Sequence, residues 1–511
     1  MMIKKFNLPK FFIVFIFFTL LIKPVWLFDI QNLGSDGDDL SYWLHATSIA
    51  LDYDLIYLND HNLGSDIFHE NTKAPSHPPG AGYFSAPFVY VFNILDNLTG
   101  NEVDRINPIG SYSYLGYFFA TQLYTFLGFY FLNKLFSING TSKFQYSILF
   151  LTYLSTLVHY STTRFLMSHA FEFCFVSILF YYFEKDNKLS LKQFNFCLII
   201  YFCLSITRPS TFLISLCFLL MYKEKIIPHI KNFKPYLLLA ILISVYIFIS
   251  QTLYEANNIL LSLSDNKTTE SFVDIINIQT LLQGFLKLPN LFFSFSGGLI
   301  WTTPIIFLGT ICYFINQFKN KKFEIQYFVF SSLFLLSFFV IAMIWQGREV
   351  AYGQRLFVGL IPFAAYQVSL YVKKNNTNRV IITLILMSYF HYLFLYSSDL
   401  LTLREGYSLW GTFIKYSAEN YTINMFNEIL NLENYLAVLV KSIYSINFFG
   451  LIRFDSFISF IPNFLQNIEK IQILESRANR YYGFNYGYIL MTTTIYLGFS
   501  FLFLKLIRNK K

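Results

Sequence analysis

Residues Phe194 to Tyr222 read FNFCLIIYFCLSITRPSTFLISLCFLLMY, and a lysine-bearing segment stands on each side of them. Lysines next to apolar runs mark the cytoplasmic side of a membrane protein. A run that starts and ends on the same side crosses twice or not at all. At its middle stands Arg208–Pro209. Proline has no N–H to give and its ring clashes with the preceding turn, so a helix breaks there. Broken backbone is tolerated at membrane depth only where protein covers it. The stretch therefore predicts two short half-helices meeting near the outer face, with Arg208 at the tip.

The same rule orders the rest of the chain. Of its 511 residues, 55% are hydrophobic and 13% charged, against about 25% charged in a soluble protein. Cytoplasmic segments are expected at Met1–Lys10, Asn133–Lys143, Glu184–Gln193, Lys223–Lys234, Asn316–Lys322, Lys373–Arg379 and Lys505–Lys511. Between them, helices are expected at Phe11–Phe28, Ser111–Leu132, Phe144–Tyr160, Phe165–Phe183, Tyr236–Tyr254, Leu299–Ile315, Tyr327–Trp345, Leu356–Val372, Val380–Tyr396 and Tyr488–Leu506. The run Ala81–Leu95 upsets the count if it spans once. It is expected to be re-entrant, to lie in the interface, or to have a partner within Asp96–Gly110. The result is an all-α polytopic membrane protein with about twelve crossings.

This scheme leaves four segments outside: Asp29–Gly110, Glu255–Gly298, Gln346–Arg355 and Ser397–Tyr486. The long ones are too polar for lipid, and too long to be plain connectors, so a small extracytoplasmic helical layer is expected. The chain divides into a transmembrane region at 1–396, with its first loop at 29–110, an outer segment at 397–486, and a last helix and tail at 487–511. The net charge of +8 follows the cytoplasmic lysines, which argues against a nucleic-acid partner. No GxxxxGK[ST] phosphate loop occurs, which argues against ATP-driven transport by this chain. The five cysteines lie in apolar runs without metal or disulfide spacing.

The first loop holds the densest acid in the chain, Asp36, Asp38 and Asp39 in SDGDDLSYWLHA. An apolar-periodic helix is expected over Tyr42–Leu51, with the acids before it. Carboxylates are favoured at a helix N-terminus by its dipole, and Asp36 or Asp38 can cap it. Paired carboxylates also serve as a general base or a divalent-cation site. Extracytoplasmic cations are Arg164, Arg208, Arg348 and Arg355, and arginine's planar fork suits phosphate. His45, His61, His69, His159 and His169 also fall near the outer face, each expected at a polar surface, and none pairs at the spacing of a zinc helix.

Taken in order, Asp38–Asp39, Tyr42 three residues on, His77–Pro78–Pro79, YSTTRFLMSHAF (160–171), FSFSGGLIWTTPIIFLG (293–309) and WQGREVAYGQRLFVGLIPF (345–363) resemble the GT-C glycosyltransferases. The pattern is similar to bacterial glycosyltransferase family 39-like enzymes, among them protein mannosyltransferases and lipid A aminoarabinose transferases. The resemblance implies a polyprenyl-phosphate sugar donor and a lipid, glycan or protein acceptor. It implies a multi-pass protein of the inner membrane with its site on the extracytoplasmic face. It implies Asp38 as general base with inversion, and Asp39 as the residue that orients the acceptor or helps hold a cation. Tyr42 and His77 then line the site, and Arg348, Arg355 and Arg208 meet the phosphate. Family members differ in using a divalent metal, and Asp38, Asp39 and His77 are the ligands if one is used. Two other functions fit the composition: a transporter or flippase of lipid-linked saccharides, and a non-catalytic scaffold with a GT-C-like shell.

Overall fold

The computed structural model describes residues 37–55, 57, 74–75, 77–106, 108, 110–138, 145–162, 164–186, 188–254, 285–286, 288–293, 298–319, 324–344, 355–374, 379–388, 436, 462–466 and 486–508. The expected first helix Phe11–Phe28, Asp36, Arg348, His61, His69 and nearly all of the 397–486 segment lie outside them. What is described is helical, with no strands. Among the described residues three helices are long and apolar enough to cross a membrane: Phe233–Tyr254, Ile325–Ala342 and Arg355–Lys373.

The chain opens with α1 (Gly37–Thr47), which widens into a looser turn at Ser48–Asp52. Helix α1 begins five residues before the expected start at Tyr42. Asp38 and Asp39 thus sit inside its first turn, where the dipole favours them, and Asp38 is not a cap. Helix α2 (Gly80–Thr99) is one continuous helix that passes Pro87 without a break. This corrects the expectation of a hidden partner within Asp96–Gly110: the described residues there beyond Thr99 hold no helix. Helix α3 (Tyr112–Ile138) follows.

Asp96 explains the tight return between α2 and α3. Its buried carboxylate accepts hydrogen bonds from the N–H groups of Tyr112 and Ser113, from the Ser113 hydroxyl and from Asn101 Nδ2. It thereby satisfies orphan donors at the start of α3. Helix α2 runs back along the first half of α3, with Phe88 against Phe119 and Phe84 against Tyr124.

The chain continues through α4 (Gln145–Tyr153), α5 (Thr156–Thr162), α6 (His169–Lys185) and α7 (Leu191–Thr207). Helix α6 lies along the second half of α3, where Phe173 meets Phe129 and Tyr181 meets Phe131. At 27 residues, α3 is about 40 Å long. It joins the α1–α2 layer to the longer bundle beyond.

Ser190 caps α7 in a reciprocal box with Gln193. The expected break then appears. Helix α7 ends at Arg208, and α8 (Pro209–Ser215) and α9 (Cys217–Met221) return along it, with Tyr201 donating to the Ser215 carbonyl. Next come α10 (Lys223–Ile230), with no buried residue, and α11 (Phe233–Tyr254), apolar all round and largely exposed. Exposed apolar side chains such as Leu237, Ile241 and Phe248 suit lipid rather than water.

Further on are α12 (Leu288–Phe293), α13 (Leu299–Thr302), α14 (Pro304–Lys319) and α15 (Ile325–Ile344). A 3-10 turn at Arg355–Leu360 leads into α16 (Ile361–Lys374). Helices α17 (Arg379–Ser388), α18 (Asn463–Gln466) and α19 (Tyr486–Arg508) complete the described chain. Helix α19 packs beside α3, with Phe499 against Phe119 and Phe503 against Phe129.

Candidate functional site

The site forms where α1 meets the turn between α5 and α6. Residues three apart on a helix share a face, so Asp39 and Tyr42 both look toward that turn. Arg164 donates from Nη2 at 2.7 Å and from Nε at 2.9 Å to one Asp39 oxygen, Oδ2. The Asp39 side chain is 3% exposed and that of Arg164 20%. The Tyr42 hydroxyl lies 3.2 Å from Ser168 Oγ.

Helix α3 holds the turn from behind. Tyr117 and Thr121 donate to the carbonyls of Leu166 and Phe165, each at 2.7 Å, and Gln122 donates to that of Ser161. Carbonyls stranded at a chain reversal need such partners when water is excluded.

A second charged group stands at the start of α6. Glu172 is wholly buried, yet it accepts hydrogen bonds from Thr211 Oγ1 at 2.5 Å and His169 Nδ1 at 3.2 Å. Arg208 Nε lies 3.4 Å from the same carboxylate, an ion pair rather than a good hydrogen bond. Arg208 and Arg355 are both near enough for their charges to act on His169. The 3-10 turn roofs this group closely. A Cβ on Gly359 would stand 2.6 Å from Thr211 Cγ2 and 2.8 Å from Glu172 Oε1, so only glycine lets the backbone approach.

His77 meets the site through both its ring and its backbone. Its ring lies 5.3 Å from that of Tyr42. Its carbonyl accepts from His45 Nε2 at 2.8 Å and from the Tyr254 hydroxyl at 2.7 Å. Those bonds tie the double-proline turn to α1 and to the end of α11. Helix α2 crosses α1 so closely that a Cβ on Gly82 would come within 2.5 Å of His45 Cβ.

The structure corrects the histidines. His45, His159 and His169 are buried rather than placed at a polar surface. His45 bonds the Tyr57 hydroxyl at 2.7 Å through Nδ1, and burial pushes its pKa down to about 3.

Sequence analysis brought Asp39, Tyr42, His77, Arg208 and Arg355 forward, and the structure places Asp39 with Tyr42, Tyr42 with His77, and Arg208 and Arg355 about His169. Asp38 lies in the first turn of α1, with its side chain outside the described residues; Arg348 is outside them entirely. Glu172 and Thr211 were missed. A signal existed for Glu172: it is an acid inside the apolar run HAFEFCFVSILF, and ionisable groups within such runs seldom lack a role.

Among the described residues no three His, Cys, Asp or Glu side chains gather as ligands, and Asp39 Oδ2 is taken by Arg164. Compared with known proteins, the chain matches no family model, no curated protein and no solved structure.

Proposed function

We propose that the chain is an integral-membrane glycosyltransferase of the GT-C kind. It moves a sugar from a polyprenyl-phosphate donor to a lipid, glycan or protein hydroxyl on the extracytoplasmic face of the inner membrane. One observation carries this most: the acidic first turn of α1 is tied, through Asp39 and Arg164, to the start of α6, where Arg208 and Arg355 cluster about His169. Helix α1, which carries Asp38 in its first turn, is thus tied to the turn beside which cations for a departing phosphate stand.

In this mechanism the Asp38 carboxylate takes the acceptor's hydroxyl proton as its oxygen bonds to the anomeric carbon. The bond from that carbon to the phosphate oxygen breaks on the opposite face, giving inversion. A hydroxyl is a weak nucleophile, and a positioned carboxylate lowers its barrier by about two to four powers of ten. The polyprenyl phosphate departs with the bonding pair, and cations already in place stabilise its growing charge. Asp39 and Arg164 hold α1 against α6, which positions the base.

The test is Asp38→Asn assayed for sugar transfer in membranes, with protein abundance measured alongside. Transfer should fall at least about a hundredfold at unchanged abundance. Full transfer would refute the base assignment. A deletion strain should accumulate a polyprenyl-phosphate sugar, and lipid profiling would name that sugar. Loss of export of an intact lipid-linked saccharide, with no change in transfer, would favour the flippase instead.

A further inference from the structure

We propose that Glu172 is a positioning residue for the donor's phosphate: it holds Arg208 at the break between α7 and α8, aimed at the anion. This inference rests on the lipid-phosphate role proposed above.

The two buried acids hold their arginines differently. Arg164 spends both Nε and Nη2 on Asp39. The Arg208 guanidinium makes no hydrogen bond among the described residues, although its Nε is buried. Glu172 meets it as a charge at 3.4 Å, while the hydrogen bonds to Glu172 come from Thr211 and His169. The carboxylate is thus anchored by neutral groups, and Arg208 is held in place with its donors unspent. A phosphate oxygen matches such a fork.

His169 gives a second, independent sign of a ligand. It is fully buried, and Nε2 has no hydrogen-bond partner among the described residues while Nδ1 faces Glu172. An unmatched buried polar atom is costly, and one beside an unspent guanidinium marks a place that a polar ligand completes.

Helix α8 starts at Pro209 directly after Arg208, which limits backbone movement at the tip. Glu172 then supplies what the backbone cannot, a fixed direction for the side chain.

The full chain in detergent is titrated with farnesyl phosphate, farnesol and inorganic phosphate. Wild type should bind farnesyl phosphate at least about tenfold more tightly than either of the others. Glu172→Asp keeps the charge but withdraws it by one methylene. It should weaken farnesyl phosphate binding by about tenfold, leaving farnesol binding and the thermal midpoint unchanged. Combined with Arg208→Lys it should add little further loss, because the two act on one contact. If Glu172→Asp fails to fold, Thr211→Val decides: it removes one anchor of the carboxylate and should cost about threefold in farnesyl phosphate affinity.

Unchanged farnesyl phosphate affinity in the foldable variant overturns the positioning role. So does a loss of farnesol binding and stability in the same proportion, which is what a purely structural Glu172 would give. Wild type that binds farnesol or inorganic phosphate as tightly as farnesyl phosphate overturns the lipid-phosphate role itself, a separate outcome.

Discussion

Breaking the Asp39–Arg164 pair should cost far more than a surface ion pair. The charges lie about 4 Å apart, and at an effective dielectric constant of about 20 their attraction is about 4 kcal/mol. The cost of removing one partner depends on which charge remains. The Asp39 carboxylate is 3% exposed and Arg164 is 20% exposed. Arg164→Gln leaves an acid that water hardly reaches, so a loss of about 4 kcal/mol is expected. Asp39→Asn leaves a guanidinium that water partly reaches, and about 3 kcal/mol is expected. In the double variant two neutral amides face each other. Its loss should also be about 4 kcal/mol, which makes the coupling energy about 3 kcal/mol.

The assay is equilibrium unfolding of the purified chain in mixed micelles of mild detergent and SDS. Trp43 makes it sensitive to this region, since its buried indole packs edge-on against Tyr114 on α3. Lys185–Asp186 is the internal control. Their closest approach is 3.8 Å with both side chains about two-fifths exposed, so Lys185→Gln should change stability by less than about 0.5 kcal/mol. Single variants at Asp39 and Arg164 whose losses add to within about 0.5 kcal/mol would refute the reasoning.

His45 makes the fold sensitive to acid. Its folded pKa of about 3 lies below the ordinary 6.5, so the unfolded chain binds the proton more readily. The stabilisation is complete above pH 6.5 and is lost as pH falls toward 3, by about 2–3 kcal/mol at pH 4.5. Midpoints measured across pH should show it, and His45→Gln should flatten the slope in that window. Gly82→Ala drives a methyl into the backbone of α1 and should cost about 1–3 kcal/mol in the same unfolding assay. Asp96→Ala removes the acceptor of four hydrogen bonds, three from the start of α3 and one from Asn101. It should cost about 3 kcal/mol, with faster amide exchange at Tyr112 and Ser113 as its local sign.

The helix breaks were legible because their causes are local. Pro209 follows directly on the end of α7, where its missing N–H cannot continue the helix, and the apolar runs on each side of Arg164 predict the reversal there. The start of α1 was misjudged because apolar periodicity begins at Tyr42, whereas the acids before it are themselves good first-turn residues. Ala81–Leu95 was left open because lysine counting fixes sides but not depth; α2 is a whole helix that packs against the first half of α3. The candidate site was legible as residue types but not as pairs. Asp39 and Arg164 are separated by 125 positions, and no periodicity links them. Glu172 was obscured by its run, since one acid among phenylalanines hardly alters an apolar window.

The two pairs share a construction that speaks against a purely structural purpose. Each joins an acid on a continuous helix to an arginine at a break between helices: Asp39 on α1 with Arg164 before α6, and Glu172 on α6 with Arg208 before α8. A break is the economical place for such an arginine, because no helical turn must be distorted to turn it inward. Yet buried ion pairs are weak devices for holding helices together. Well-packed apolar side chains of similar volume often do as well or better, by about 1–4 kcal/mol. The interfaces around these pairs already use apolar packing freely, with Tyr114 and Tyr117 each meeting both Trp43 and Phe165. Charges that stability alone did not require, at two breaks beside one helix start, are what the proposed anion-binding role expects. Because Arg164, Ser168, His169 and Glu172 all lie within nine residues, the start of α6 links both pairs, and a shift in one reaches the other through that single turn.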